Sequence, residues 1–269
     1  MRIKPKKSLG QNFLSDRNIL GKIVDSCRFT AADTVLEIGA GRGELTLLIA
    51  PKVKKLYAFE IDGSLVPLLN ESLRGAGNTQ IIHQDILKAR LLRYIKVREG
   101  KVIVAGNIPY YISTPILEKL FEARKYIKRI YLTVQKEFAQ RVVAVPGSKI
   151  YGSLSCFVQY HGRAQIKFII RKGSFFPAPK VDSAFLEIEL RNKPLLNKLD
   201  EERFFTVVRA AFNQRRKTLR NSLFRVTFPD KLHECLARQN ISPDIRPEQL
   251  SLDSFLGLAK SAKSAKSAK

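Results

Sequence analysis

The chain reads as an α/β protein: a mostly parallel sheet covered by helices, followed by a smaller all-helical domain. Three observations predict this. From Thr34 to Val134, short apolar runs alternate with helical patterns, as expected for parallel strands joined by helical crossovers. Beyond residue 150, three strand-like pieces lie close together, which suggests an antiparallel extension of the sheet. After Arg191-Asn192-Lys193-Pro194, a charged segment ending in a breaker, every periodic stretch is helical. The expected division is an α/β domain with a basic N-terminal arm over 1–192, a helical domain over 193–258 and a tail over 259–269.

The elements follow in order. The first seven residues carry Arg2, Lys4, Lys6 and Lys7 and read as a mobile basic arm. Ile19, Leu20 and Ile23 give Asn18–Val24 helical spacing. Val35–Ile38 and Leu56–Phe59 are the first two strands, and Gln80–Ile82 is the third. Val102–Ala105 is the fourth and Ile130–Val134 the fifth. Helices are expected at Glu44–Ala50, Leu65–Leu73 and Pro115–Glu122, the last with Thr114 as N-cap and Pro115 at its first position. Ser155–Tyr160, Ile166–Ile170 and Ser183–Leu190 read as strands. Glu201–Asn213, Thr218–Leu223, Pro229–Arg238 and Pro247–Ala259 read as helices. The closing Ala-Lys-Ser repeat has nothing to bury, which predicts a disordered cationic tail.

Charge narrows the partners. Lys and Arg number 48 against 24 acidic residues, giving +24 over 269 residues. Such an excess favours a polyanion through counterion release. Between Arg203 and Pro229 seven basic residues occur without an acidic one, whereas solvated helix faces usually mix both signs. Arg209, Arg215, Arg216, Lys217 and Arg220 are the expected phosphate contacts, and Arg209, Arg216 and Arg220 would share a face if one helix ran through them. The three cysteines are widely spaced and the three histidines match no zinc pattern, so neither a disulfide framework nor a metal site is expected. Apolar runs fall short of a membrane span, and a reduced cytoplasm is the natural setting.

The chemistry concentrates at four strand ends. Gly39, Gly41 and Gly43 follow the first strand, where glycines let a ligand approach the backbone and expose amides at a helix start. Glu60 ends the second strand, about twenty residues on, where a carboxylate accepts from both hydroxyls of a ribose. Asp85 follows the third strand and suits an adenine amino group, with Ile86 against the ring. Asn107-Ile108-Pro109-Tyr110 follows the fourth: an amide, a stiffened turn and an aromatic ring, suited to gripping a flat base by its exocyclic amine. A dinucleotide site would share the first two features. Its third glycine falls one residue later, however, and it has no use for the base grip. The combination favours S-adenosylmethionine with an amino-group acceptor. Phe175 and Phe176 divide, in this reading, into one core ring and one stacking ring; Tyr111 reads as packing and His83 as structural.

The chain resembles the KsgA-type rRNA adenine N6-dimethyltransferases through most of its length. The likeness rests on Lys7–Leu14 (KSLGQNFL), the glycine turn with Glu60 and Asp85, and Asn107–Pro115 (NIPYYISTP). It continues through Phe175–Ser183 (FFPAPKVDS), Arg209–Leu219 (RAAFNQRRKTL) and Arg246–Ser251 (RPEQLS). Ile108 stands where leucine is common, which leaves the backbone carbonyl available. The resemblance implies a Rossmann-like class I S-adenosylmethionine-dependent methyltransferase sheet. It implies that Asn12 and Leu14 close over the cofactor and that Gly39 and Gly41 admit its methionine moiety. Glu60 would hold the ribose, Asp85 the adenine, and Asn107 both cofactor and target base, with Tyr110 and Phe175 sandwiching the flipped adenine. It further implies a monomer acting on 16S rRNA within an immature 30S particle, with two adjacent adenines near the 3′ end as target. Alternatives are an Erm-type enzyme of 23S rRNA, a non-catalytic nucleic-acid-binding relative, and a DNA adenine methyltransferase, which no target-recognition domain supports.

Overall fold

The computed structural model describes residues 4–95, 100–214, 217–223 and 229–261, the side chains of 229–233 excepted. Two compact units are present: residues up to Ala139 with Ala164–Leu190, and Gln140–Arg163 with the residues from Arg191 on. The expected boundary after residue 192 therefore leaves out a segment, 140–163, that belongs with the helices.

The first unit begins with the short strand β1 (Phe13–Leu14) and helix α1 (Arg17–Cys27). Asp16 caps α1 by accepting from the Asn18 and Ile19 amides. Leu20, Ile23, Val24 and Cys27 form its buried face, the spacing of an amphipathic helix. The alternation β2 (Thr34–Ile38), α2 (Glu44–Ile49), β3 (Lys55–Glu60), α3 (Val66–Ser72) and β4 (Thr79–His83) follows. Strand β5 (Val102–Asn107), helix α4 (Ser113–Glu122) and β6 (Ile127–Gln135) continue it. Helix α5 (Lys136–Val143) carries the chain onward, α6 (Ser153–His161) follows it, and the chain returns through β7 (Gly162–Ile170), β8 (Phe175–Phe176) and β9 (Ser183–Leu190).

The seven-stranded sheet has the order β4-β3-β2-β5-β6-β9-β7. Strands β4 to β6 pair in parallel, and β9 lies antiparallel to β6, with Tyr131 opposite Glu187. Strand order reverses between β2 and β5. Ligands of open α/β sheets bind at such a reversal, beyond the carboxyl ends of the strands. Strands β2, β3 and β5 are buried along nearly their whole length, which explains their continuous apolar runs. At the reversal the strands approach closely: a Cβ on Gly106 would run into the Ile38 carbonyl.

Two expectations change here, and one pairing is added. Ser155–Tyr160 is not a strand but most of α6. Its β-branched and aromatic composition suits a strand, yet Tyr160 stacks on Phe204 at 4.8 Å and meets Phe205 edge-on at 5.1 Å, so tertiary packing overrides propensity. Helix α4 starts at Ser113 directly from a tight turn over Tyr110–Ile112, so Thr114 is not its cap. Pro115 consequently sits third, where the amide still lacks an intrahelical acceptor. The two-stranded ribbon of β1 and β8 joins segments too far apart in sequence for local pattern to reveal.

In the second unit, α7 (Lys198–Asn213) is capped by Asn197 and buries Phe204, Val207, Val208, Ala211 and Phe212. Helices α8 (Leu219–Leu223), α9 (Pro229–Arg238) and α10 (Leu252–Ser261) complete it. Because α7 ends at Asn213 and α8 begins at Leu219, no single helix runs from Arg209 to Arg220. Arg209, Lys217 and Arg220 are exposed; Arg215 and Arg216 lie outside the described residues. The expected tail begins too early, since α10 reaches Ser261 and Ala259 is buried; 262–269 lie outside the described residues. Lys6 is no free arm residue, being paired with Asp62, and Arg2 lies outside the described residues. No helix among the described residues is long and apolar enough to cross a membrane.

Candidate cofactor and acceptor site

The carboxyl ends of β2, β3, β4 and β5 open into one cleft, the place where open α/β sheets bind their ligands. Asn12, Gly39, Gly41, Glu60, Asp85, Asn107, Ile108 and Tyr110 all line it. Leu14 lines a small adjoining cavity with Gly39, Gly41 and Asn107.

The glycine turn takes its shape from backbone geometry. Gly39 and Gly41 have φ of 76° and 61°, a region that disfavours side chains. A Cβ on Gly39 would lie 3.1 Å from the Asn107 carbonyl oxygen, and one on Gly41 would lie 3.2 Å from the Phe13 ring. The floor of the cleft therefore stays bare backbone.

Glu60 is buried at the end of β3. Its Oε2 accepts the Gly41 amide at 2.7 Å and its Oε1 accepts the Asp62 amide at 2.8 Å. Burial raises its pKa above the ordinary carboxylate value, while neighbouring backbone amides, those of Asp62 and Gly41 foremost, oppose that rise. Each oxygen accepts one amide and keeps capacity for another donor. Asp85 accepts the Leu87 amide on Oδ1 at 2.9 Å.

Asn107 ends β5, where its Nδ2 donates to the Asn12 carbonyl at 2.9 Å. That bond uses the amide's donor end, and among the described residues Oδ1 takes no hydrogen bond. Ile108 is buried. The Tyr110 hydroxyl lies 2.5 Å from Ser183 Oγ, which fixes the ring; burial raises its pKa.

Phe175 is not brought into this cleft. It is 4 % exposed and packs with Leu14, Leu20, Tyr131 and Phe185, so neither face is open to a base in this conformation. Its neighbour Phe176 is 56 % exposed, with the Arg42 guanidinium 5.9 Å from its ring and 4.3 Å from that of Phe13. Tyr111, read as packing, is 64 % exposed and lines the cleft.

The chain matches the family model for ribosomal RNA adenine dimethylase over residues 2–264. The chain belongs to the ribosomal RNA adenine dimethylase family. Members are methyltransferases of the S-adenosylmethionine-dependent class. The family's similar proteins include one from Bacillus pumilus (strain SAFR-032) named Ribosomal RNA small subunit methyltransferase A. It is 44% identical over 262 residues, 94% of this chain and 90% of that protein. One of the same name from Streptococcus sanguinis (strain SK36) is 44% identical over 267 residues, 96% of this chain and 92% of that protein. Among solved structures, a dimethyladenosine transferase from Plasmodium falciparum superposes with a TM-score of 0.81 at 26% identity, covering 91% of this chain and 95% of that one. The 23S rRNA methyltransferase ErmE superposes with a TM-score of 0.75 at 25% identity, covering 94% of this chain and 100% of that one.

Three residues next in sequence to the lining of this cleft escape sequence reasoning. Gly106 lets β2 and β5 meet at the crevice; its signal was a glycine inside an apolar strand, which marks close backbone approach. Asp62 holds residues of the N-terminal segment and carries no motif beyond its nearness to Glu60. Glu37 lies buried in β2 with neither carboxyl oxygen hydrogen-bonded among the described residues, and burial pushes its pKa up to about 8. Its signal was an acid inside a buried run. Among the described residues, no cluster of three His, Cys, Asp or Glu side chains could hold a metal.

Proposed function

We propose that this chain dimethylates N6 of two adjacent adenines near the 3′ end of small-subunit rRNA, using S-adenosylmethionine. We infer further that it acts as a monomer on immature 30S particles in the cytoplasm. The observation that carries the reading is the convergence of Gly39, Glu60, Asp85, Asn107, Ile108 and Tyr110 on one cleft. The choice of the small subunit is supported by the two relatives at 44% identity and their printed name.

The residues fit the cofactor. The bare turn at Gly39 and Gly41 leaves room for the methionine moiety, the spare acceptor capacity of Glu60 suits two ribose hydroxyls, and Asp85 suits the adenine amine. Bound there, S-adenosylmethionine supplies a methyl group already activated by its sulfonium.

The protein's own task is alignment. Adenine N6 is a poor nucleophile because its lone pair is delocalised into the ring. Asn107 Oδ1 and the Ile108 carbonyl are the acceptors for the N6 hydrogens. Holding those hydrogens localises the lone pair and favours a tetrahedral nitrogen, a preorganised electrostatic effect. After alkylation the cationic nitrogen loses its proton to water, so no strong base is required. For the second methylation one acceptor must yield space to the first methyl. The Tyr110 ring stacks on the base and offsets part of the few kcal/mol spent unstacking it from RNA. Phe175, proposed as the second wall, would have to leave the core to serve; Phe176 is the ring already exposed. Arg209, Lys217 and Arg220, with Arg215 and Arg216, are the proposed phosphate contacts.

The test is methylation of undermethylated small subunits by Asn107→Ala and Tyr110→Ala. Both variants are expected to lose activity while retaining cofactor binding in the case of Tyr110→Ala. Activity surviving in both would contradict the acceptor pocket.

A further inference from the structure

Residues 6 to 13 run along the cleft as a strap, and their fastenings are specific. Gly10, Gln11, Asn12 and Phe13 line the cleft together with Glu60 and Asp85. One end of the strap is tied at Asn107, through the Asn12 carbonyl. The Phe13 ring lies under the Arg42 guanidinium.

The other fastening is Asp62, whose side chain is fully buried. Its Oδ1 accepts Lys6 Nζ at 2.6 Å and its Oδ2 accepts Gln11 Nε2 at 2.8 Å. Gln11 Oε1 in turn accepts the Lys6 amide at 2.8 Å, closing a ring of three residues. Ser64 adds its hydroxyl and amide to Oδ1 at 2.6 and 3.0 Å, so the carboxylate cannot swing away. Asp62 also donates its own amide to Glu60 Oε1. One residue thus binds the strap through its side chain and the proposed ribose acceptor through its backbone.

We propose that Asp62 is a positioning residue that latches the N-terminal strap over the cleft and thereby sets how long the cofactor stays bound. The proposal rests on the cofactor reading above. A carboxylate with ordinary structural duties would be satisfied by Ser64 and solvent. This one is buried and spends both oxygens on a segment far away in sequence, in bonds that exist only when the strap is down. Because the latch acts on escape, it should alter dissociation more than association.

The experiment uses the full-length protein with Asp62→Asn and, separately, Lys6→Met, whose side chain is half-exposed and whose loss leaves the core untouched. Two readouts are taken. The first is the rate of limited chymotryptic cleavage after Leu9, Phe13 or Leu14 without any cofactor, at sites that neither substitution alters. The second is S-adenosylmethionine association and dissociation by stopped-flow. Charge-assisted bonds of this kind are expected to change rates about tenfold or more. Asp62→Asn should therefore raise both cleavage and dissociation by about that factor, with association unchanged or faster. Lys6→Met should do the same to a lesser degree, and added salt should speed cleavage of the wild type but not of Lys6→Met. Unchanged cleavage and dissociation in both variants would overturn the latch. Slower association with unchanged dissociation would overturn it as well, since that marks a damaged site. Should the wild type bind no S-adenosylmethionine, the cofactor reading fails, while the cleavage readout still decides whether Asp62 holds the strap.

Discussion

Replacing Glu60 by glutamine separates two roles that one carboxylate performs. Each oxygen already accepts a backbone amide, from Gly41 at 2.7 Å and from Asp62 at 2.8 Å. The glutamine amide can keep only one of these bonds, because its nitrogen would face the other amide donor to donor. That conflict exists with or without ligand, so it belongs to stability and costs about 1–3 kcal/mol for one unsatisfied buried group. The proposed ribose bonds exist only in the complex. Losing one charge-assisted bond there removes about 1.5–3 kcal/mol of binding, or about a 10- to 150-fold rise in Kd. Calorimetric titration with S-adenosylmethionine reads the second quantity and thermal unfolding the first. The expected result is a lower Tm together with a Kd raised within that range. A folded Glu60→Gln protein binding the cofactor with unchanged Kd would refute the ribose assignment, whatever its Tm.

Two further predictions concern charge. Glu37 has a pKa of about 8 in the fold against an ordinary 4.5, so the folded chain keeps a proton that the unfolded chain releases. Its contribution is fully present below about 4.5 and is lost as pH rises through about 8, amounting to at most about 5 kcal/mol. Urea denaturation at about pH 5 and about pH 8 should show Glu37→Gln gaining on the wild type at the higher pH; parallel curves would contradict this. Replacing Arg209 and Arg220 together with alanine should weaken binding of small-subunit RNA and lower its log–log salt slope by about two, with cofactor affinity unchanged. An unchanged slope would return both to the role of solvated surface.

What the sequence made legible was the sheet and the polar groups at its strand ends. Strand runs buried on both faces are continuous and apolar, so β2, β3 and β5 stood out, and with them the positions of Gly39, Glu60 and Asn107. Each of these follows its strand directly, and local pattern suffices to find it. Phe175 and Phe176 are different. A two-residue strand points successive side chains to opposite faces, and only the pairing of Leu14 with Phe175 and Phe13 with Phe176 decides which ring goes inward. That pairing spans most of the first unit's sequence and leaves no local mark. The same distance hides Asp62, whose partners Lys6 and Gln11 are brought to it by the fold. Helix α6 was missed for another reason: its residues favour a strand in isolation, and the aromatic packing around Tyr160 imposes a helix.

The central claim is that this cleft presents adenine N6 of small-subunit rRNA to a methyl donor. The most direct measurement is mass-spectrometric mapping of methylated adenines after incubating the protein and S-adenosylmethionine with undermethylated small and large subunits. Two adjacent N6-dimethylated adenines near the 3′ end of the small-subunit rRNA are predicted, with none in the large subunit. Modification confined to a single large-subunit adenine, or absent from both rRNAs, would contradict it.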